Sequence, residues 1–136
     1  RVLRNEVAGI GNGAGWLYLA GLDDTLHHAD DLPALLARLP RNAPAILLAH
    51  EPDTADRNAA TGRFALQLSG HSHGGQVIPP GGRPLALPPL AHKYPLGLYR
   101  VQEMWQYTNR GLGMVEPQVR FNCRPEITLL RLIRAA

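Results

Sequence analysis

The sequence predicts an α/β fold organised around a largely parallel sheet. Three observations carry that expectation. Ala45 to Ala49 is an unbroken apolar run, the pattern of a strand covered on both faces. Leu32, Leu35, Leu36 and Leu39 recur at helical spacing just before it. A second strand-like run, beginning at Phe64, follows a helix-compatible stretch, and strand, helix, strand in succession make parallel neighbours.

Taken in order, Val2 to Ile10 and Trp16 to Leu22 read as the arms of a hairpin, joined by a glycine-rich turn over 11–15. Residues 23–40 begin acidic and then carry the leucine stripe, so they predict an amphipathic helix of about three turns that Pro40 stops. The buried strand at Ala45 to Ala49 runs up to His50. Thr54 to Gly62 predicts a short helix with Gly62 as its C-terminal cap. The strand from Phe64 ends in the Gly70-His71-Ser72-His73-Gly74-Gly75-Gln76 loop. Residues 77–95 hold too much proline and glycine for regular structure and predict an ordered surface loop. Residues 96–101 and 105–111 suggest a second hairpin, and 126–134 a closing strand.

Composition narrows the function classes. The chain has 136 residues, 45% of them hydrophobic, which suits one domain or part of one. Its net charge of +3 comes almost wholly from arginines spread along the chain, with Lys93 the only lysine, so no basic stripe marks a nucleic-acid platform. Cys123 is the only cysteine, which excludes an internal disulfide and reads as a small buried hydrophobe. No stretch approaches the roughly 20 apolar residues of a spanning helix, and no basic-then-apolar signal segment opens the chain. As given it is expected to be soluble, with the localisation of any longer parent, cytoplasmic or membrane-associated, left open. It begins at Arg1 and its first methionine is Met104, so a segment upstream of Arg1 is expected.

His50 closes one predicted parallel strand, and His71 with His73 closes the next. All three imidazoles therefore fall at the carboxyl edge of one sheet, where open α/β sheets bind ligands. A neutral imidazole ligates a divalent metal through one ring nitrogen while an acceptor on the other fixes its orientation. In an extended segment, residues i and i+2 project to the same side, so His71 and His73 are expected to face one small region. The glycines around them are expected to let the backbone approach a metal or a phosphate. A bare H-x-H also serves as a pair of capping loop residues; the glycines and the third histidine favour ligation.

Ile46-Leu47-Leu48-Ala49-His50-Glu51-Pro52-Asp53 followed by Leu68-Ser69-Gly70-His71-Ser72-His73-Gly74-Gly75-Gln76-Val77 resembles the histidine and G-H-x-H motifs of the calcineurin-like metallophosphoesterases. Strings at 3–6, 21–24, 93–99 and 109–113 are similar to a bacterial phosphodiesterase branch of that family, so the likeness covers nearly the whole chain. The resemblance implies a β-sandwich flanked by helices, of which residues 1–136 would be the C-terminal half. It implies two divalent ions, manganese, iron or zinc, in the complete enzyme and one or none in the isolated chain. His50 and His71 would ligate one ion and His73 the other. The family's Asp-x-His, Gly-Asp and Gly-Asn-His motifs do not occur in the sequence and are expected upstream of Arg1. The implied reaction is hydrolysis of a phosphodiester or phosphomonoester by hydroxide activated between ions about 3.5–4 Å apart. Activity of the isolated chain is expected to be weak or absent.

Glu51, Asn109 and Arg110 are candidate substrate-binding residues: Glu51 adjoins His50, and the glycine-rich 109–113 string offers amides and a guanidinium to a phosphate, although a plain turn explains it equally well. Asp23 and Asp24 are read as capping residues. His27 and His28 are read as solvated, and His92 as an exposed loop residue that could touch substrate. No carboxylate is positioned by sequence to activate Ser72 as a nucleophile. Two other readings stand beside the main one: a mononuclear, zinc-like site with water as fourth ligand, and a non-catalytic metal-binding or self-associating module whose exposed strand edges recruit copies of the chain.

Overall fold

A computed structural model describes residues 1–11 and 15–133. Six strands form one sheet in the order β1-β2-β3-β4-β6-β5. They are β1 (Glu6–Gly11), β2 (Trp16–Gly21), β3 (Ala45–Leu48), β4 (Leu66–Ser69), β5 (Gly97–Val101) and β6 (Met104–Thr108). Both predicted hairpins form, β1 against β2 and β5 against β6, each antiparallel. The link at 12–14 lies outside the described residues. Between the hairpins, β2, β3, β4 and β6 are parallel. The expected sandwich is thus represented among the described residues by a single sheet.

Helices α1 (Leu32–Arg38) and α2 (Ala55–Ala59) cover one face of that sheet. The helix α1 spans two turns rather than the expected three, because Asp31 already acts as its N-cap and accepts the Ala34 amide at 2.9 Å. Pro33 suits the first turn, and Leu39 turns extended ahead of Pro40. The stripe of Leu32, Leu35 and Leu39 packs with Ala20, Ala45, Leu47, Phe64 and Met104 to form the core. The run at Ala45 is a central strand, as its continuous apolarity implied, with parallel partners on either side.

The register assigns the faces. Leu19, Ile46, Leu66 and Trp105 lie side by side across four strands, and Leu48, Leu68 and Tyr107 across three. Neither helix covers this second face, and Trp105 and Ile10 are exposed upon it. Beneath the helices, by contrast, β4 and β6 carry buried polar side chains. The Asn58 amide donates to Gln67 Oε1 at 2.8 Å, Gln67 donates to Ser69 Oγ at 3.1 Å, and Thr108 donates to the Tyr94 carbonyl at 2.7 Å.

The predicted closing strand does not form. The described residues of the 126–134 stretch, 126–133, have no ladder partner, and Ile127 and Leu129 are 84% and 96% exposed. One backbone bond, Glu126 N–H to the Gly111 carbonyl at 3.1 Å, and several side chains dock this segment: Glu126 and Thr128 bond to Tyr107, and Thr128 accepts from Asn109 at 2.9 Å. Residues 77–95 are irregular as expected, tied by Ile78 N–H to the Phe121 carbonyl at 2.9 Å.

Candidate metal centre

Four parallel strands end at the same edge, and backbone bonds continue the sheet beyond them. Leu22 N–H donates to Leu48 O, Ala49 N–H to Leu68 O, Gly70 N–H to His50 O, and Asn109 N–H to Ser69 O. This pulls the segments that carry Asp23 and Asp24, His50, the His71–His73 loop and Asn109 into one rim. His50, His71 and His73 all line one cavity of about 610 Å3 at that rim. The His50 and His71 rings meet edge to face with centroids 4.9 Å apart.

The loop is not extended, which corrects the i, i+2 rationale. His71 and His73 have φ of 65° and 50°, and Gly74, Gly75 and Gln76 continue in the left-handed region. The His residues are held in this sparsely populated region by contacts around them. The role expected for the glycines also changes. A Cβ on Gly74 would sit 2.7 Å from Arg110 Cγ and 2.8 Å from Cys123 Sγ, and one on Gly75 would sit 2.3 Å from Pro84 Cβ. They admit neighbouring loops of the chain itself.

Hydrogen bonding sets the imidazole tautomers. His71 Nε2 lies 2.8 Å from the Pro89 carbonyl, an acceptor only, so Nε2 carries a proton, and in the neutral ring Nδ1 is left as the ligating nitrogen. His73 Nδ1 lies 3.2 Å from Gln76 Oε1. That oxygen also accepts from Val115 N–H at 2.7 Å, while the Gln76 amide nitrogen donates to the Val115 and Pro117 carbonyls. The amide cannot turn over, so His73 is protonated at Nδ1 and its Nε2 is the free donor. Desolvation, then the neighbouring His71, holds His50 below its ordinary pKa, with Glu51 and Asp24 opposing. A neutral imidazole is the ligating form.

These features suit nitrogen donors held ready for a metal. Among the described residues, no three His, Cys, Asp or Glu side chains are placed to close around one ion.

The other sequence candidates stand apart from the cavity wall. Glu51 is 1% exposed and its carboxylate accepts from Thr25 N–H at 3.4 Å. Asn109 accepts from Gly111 N–H at 2.6 Å, and Arg110 pairs with Glu126 at 2.5 Å. Although burial opposes it, hydrogen bonds from Tyr107, Arg110 and Thr128 bring Glu126 down to a pKa of about 2. Asp23 and Asp24 cap the local turn, Asp24 accepting from His27 N–H at 2.9 Å, and His27, His28 and His92 are exposed. Cys123 is buried, its thiol donating to the His73 carbonyl at 3.3 Å.

Three positioning residues had little sequence signal. Gln76 is known only by adjacency to the histidine loop. Arg120 donates to the carbonyls of His73, Arg110, Gly111, Gly113 and Cys123, which makes it a hub for the loops behind the cavity. Asp53 accepts from the backbone amides of His92, Lys93 and Tyr94 at 2.7 to 3.1 Å, while its own amide donates to Leu90 O. It clasps the proline-rich loop to the end of β3.

Comparison with known proteins adds sequence relatives and no more: no family model matches the chain, and no solved structure matches it. An uncharacterised metallophosphoesterase of Bacillus subtilis, YkuE, is 41% identical over 114 residues, 84% of this chain and 40% of the relative. The phosphodiesterase YaeI of Escherichia coli is 41% identical over 95 residues, 68% of this chain and 33% of the relative. A bovine transmembrane protein with a metallophosphoesterase domain is 37% identical over 126 residues, 86% of this chain and 28% of the relative. The chain thus spans well under half the length of each. Among the described residues no helix is long and apolar enough to cross a membrane. With those identities extending over most of its length and a histidine cluster at its sheet edge, the chain belongs to the metallophosphoesterase family.

Proposed function

We propose that residues 1–136 form the C-terminal part of a metal-dependent phosphoesterase domain and supply the histidine half of a dinuclear site. One observation carries this reading: three imidazoles delivered by two neighbouring parallel strands line a single cavity, two of them with the proton fixed on the ring nitrogen that faces a protein acceptor. The substrate class is a phosphodiester or phosphomonoester, in keeping with the names of the relatives.

When bound, two divalent ions acidify water near neutral pH and neutralise charge on the phosphoryl oxygens. The work of the chain's own residues is to hold that centre. His50 stands neutral in the cavity wall, His71 is aimed by Pro89 O, and His73 is aimed by Gln76. Carboxylate ligands from outside residues 1–136 would complete the shell. Manganese, iron and zinc all suit imidazole and carboxylate donors together.

A chimera tests the reading: this chain replaces the matching segment of the Bacillus subtilis relative, and hydrolysis of bis(p-nitrophenyl) phosphate is followed with added manganese. Metal-dependent turnover is expected, with loss of at least about 100-fold on His50→Ala, His71→Ala or His73→Ala, in line with removal of a metal ligand. A chimera lacking all three histidines that hydrolyses the ester at the unsubstituted rate would contradict it.

The uncovered sheet face favours a second reading, a metal-binding or self-associating module. Size-exclusion chromatography separates the two, since a monomer across the micromolar range counts against self-association.

A further inference from the structure

The cavity that takes the three imidazoles has a second character. Away from the histidines its wall is formed by Val77, Leu85, Leu87, Pro88, Val115 and Pro117. Leu85 and Val115 are 70% and 58% exposed, so large apolar side chains face solvent at its mouth. Among the described residues no lysine or arginine lines this cavity, and Glu116 is its only carboxylate. A site built for a polyanion such as a nucleotide would place guanidinium or ammonium groups there. Arg120, which bonds the His73 carbonyl, is instead engaged by backbone carbonyls.

The wall is also held in place. His71 bonds to Pro89 O, Ser72 to Pro95 O at 2.5 Å, and Asp53 clasps three amides from His92 to Tyr94. Leu85 N–H returns to Val77 O at 3.0 Å, which joins the two apolar sides of the cavity. A pre-formed apolar cavity of about 610 Å3 with polar groups at one end is the form of a small-molecule site.

We propose that this cavity receives the apolar moiety of an amphiphilic phosphate ester, with the phosphoryl group at the histidines and an alkyl or acyl chain against Leu85, Leu87 and Val115. The proposal rests on the phosphoesterase reading for the phosphoryl end alone; the apolar end rests on the wall itself.

Binding of monoalkyl phosphates tests it without turnover. The chain is titrated calorimetrically with ethyl, butyl, hexyl and octyl phosphate, with manganese and again after metal removal. Burial of each methylene is worth about fourfold in affinity, so hexyl phosphate is expected to bind at least about tenfold more tightly than ethyl phosphate. Leu85→Asp and Val115→Asp, both at solvent-facing positions, are expected to flatten that dependence. Ile10→Ser on the opposite sheet face is expected to leave it intact.

A flat dependence in the unsubstituted chain overturns the proposal. So does absence of binding by every member, or a dependence that survives the two aspartate substitutions and disappears on Ile10→Ser. If affinity rises with chain length whether or not manganese is present, the apolar site stands independently of the metal; if manganese strengthens binding but affinity does not rise with chain length, the metal site stands and the apolar proposal falls.

Discussion

Replacing Gln76 separates orientation of a histidine from stability of a loop. Its side chain is buried and makes four hydrogen bonds: from His73 Nδ1–H at 3.2 Å, from Val115 N–H at 2.7 Å, and to the carbonyls of Val115 and Pro117 at 3.1 and 3.2 Å. Gln76→Ala strands Val115 N–H and two carbonyls. Because Val115 and Pro117 are exposed, water reaches them, and the cost falls near the low end of the range for unpaired buried groups, about 1–2 kcal/mol. His73 also loses the acceptor that holds its proton on Nδ1, and loss of such a partner lowers metal affinity about 10- to 100-fold, or about 1.4–2.8 kcal/mol. Gln76→Glu keeps an acceptor for His73 and Val115 but sets a carboxylate against two carbonyl oxygens. It is expected to lose stability and retain zinc affinity, whereas Gln76→Ala loses both. Competition with a chromophoric chelator measures the affinity, and urea unfolding measures the stability. Unchanged zinc affinity in Gln76→Ala, alongside a clear loss in His73→Ala, would refute the orienting role.

Further outcomes follow from other parts of the fold. Leu47→Ala, at a fully buried position in the central strand, is expected to destabilise by about 2–5 kcal/mol in the same unfolding assay. Asp53→Ala removes the acceptor of three amides and is expected to raise the rate of limited proteolysis within residues 77–95 several-fold. Glu126 has its pKa lowered from 4.5 to about 2, so the unfolded chain binds more protons in that interval. Its contribution to stability is therefore full above about pH 4.5 and lost as pH falls towards 2; in Glu126→Gln that part of the pH dependence is expected to vanish.

Much of this was legible in the sequence because local pattern and tertiary setting agree. The strand-like runs of the first hairpin, the apolar run at Ala45 and the leucine stripe each found the partner their pattern requires. From them alone the three histidines could be placed at one edge. The closing stretch at 126–134 failed because a strand-like pattern states only that a segment could pair. No sheet edge meets its described residues, and a single backbone bond to Gly111 with polar side chains docks it instead. The left-handed backbone of His71 and His73 was equally hidden, since only the tie to Pro89 O and the packing of Arg110 and Pro84 against Gly74 and Gly75 impose it. Gln76, Arg120 and Asp53 act on residues distant in sequence, and a single sequence carries no trace of such pairings.

Paramagnetic broadening of the histidine ring protons by substoichiometric manganese bears on the whole reading. The chain has six histidines, and His50, His71 and His73 line one cavity while His27, His28 and His92 lie exposed elsewhere. Joint loss of the His50, His71 and His73 signals, with the other three unaffected, is the expected result. Equal broadening of all six, or loss at His27, His28 or His92 with the cavity histidines sharp, would contradict a metal centre at this sheet edge.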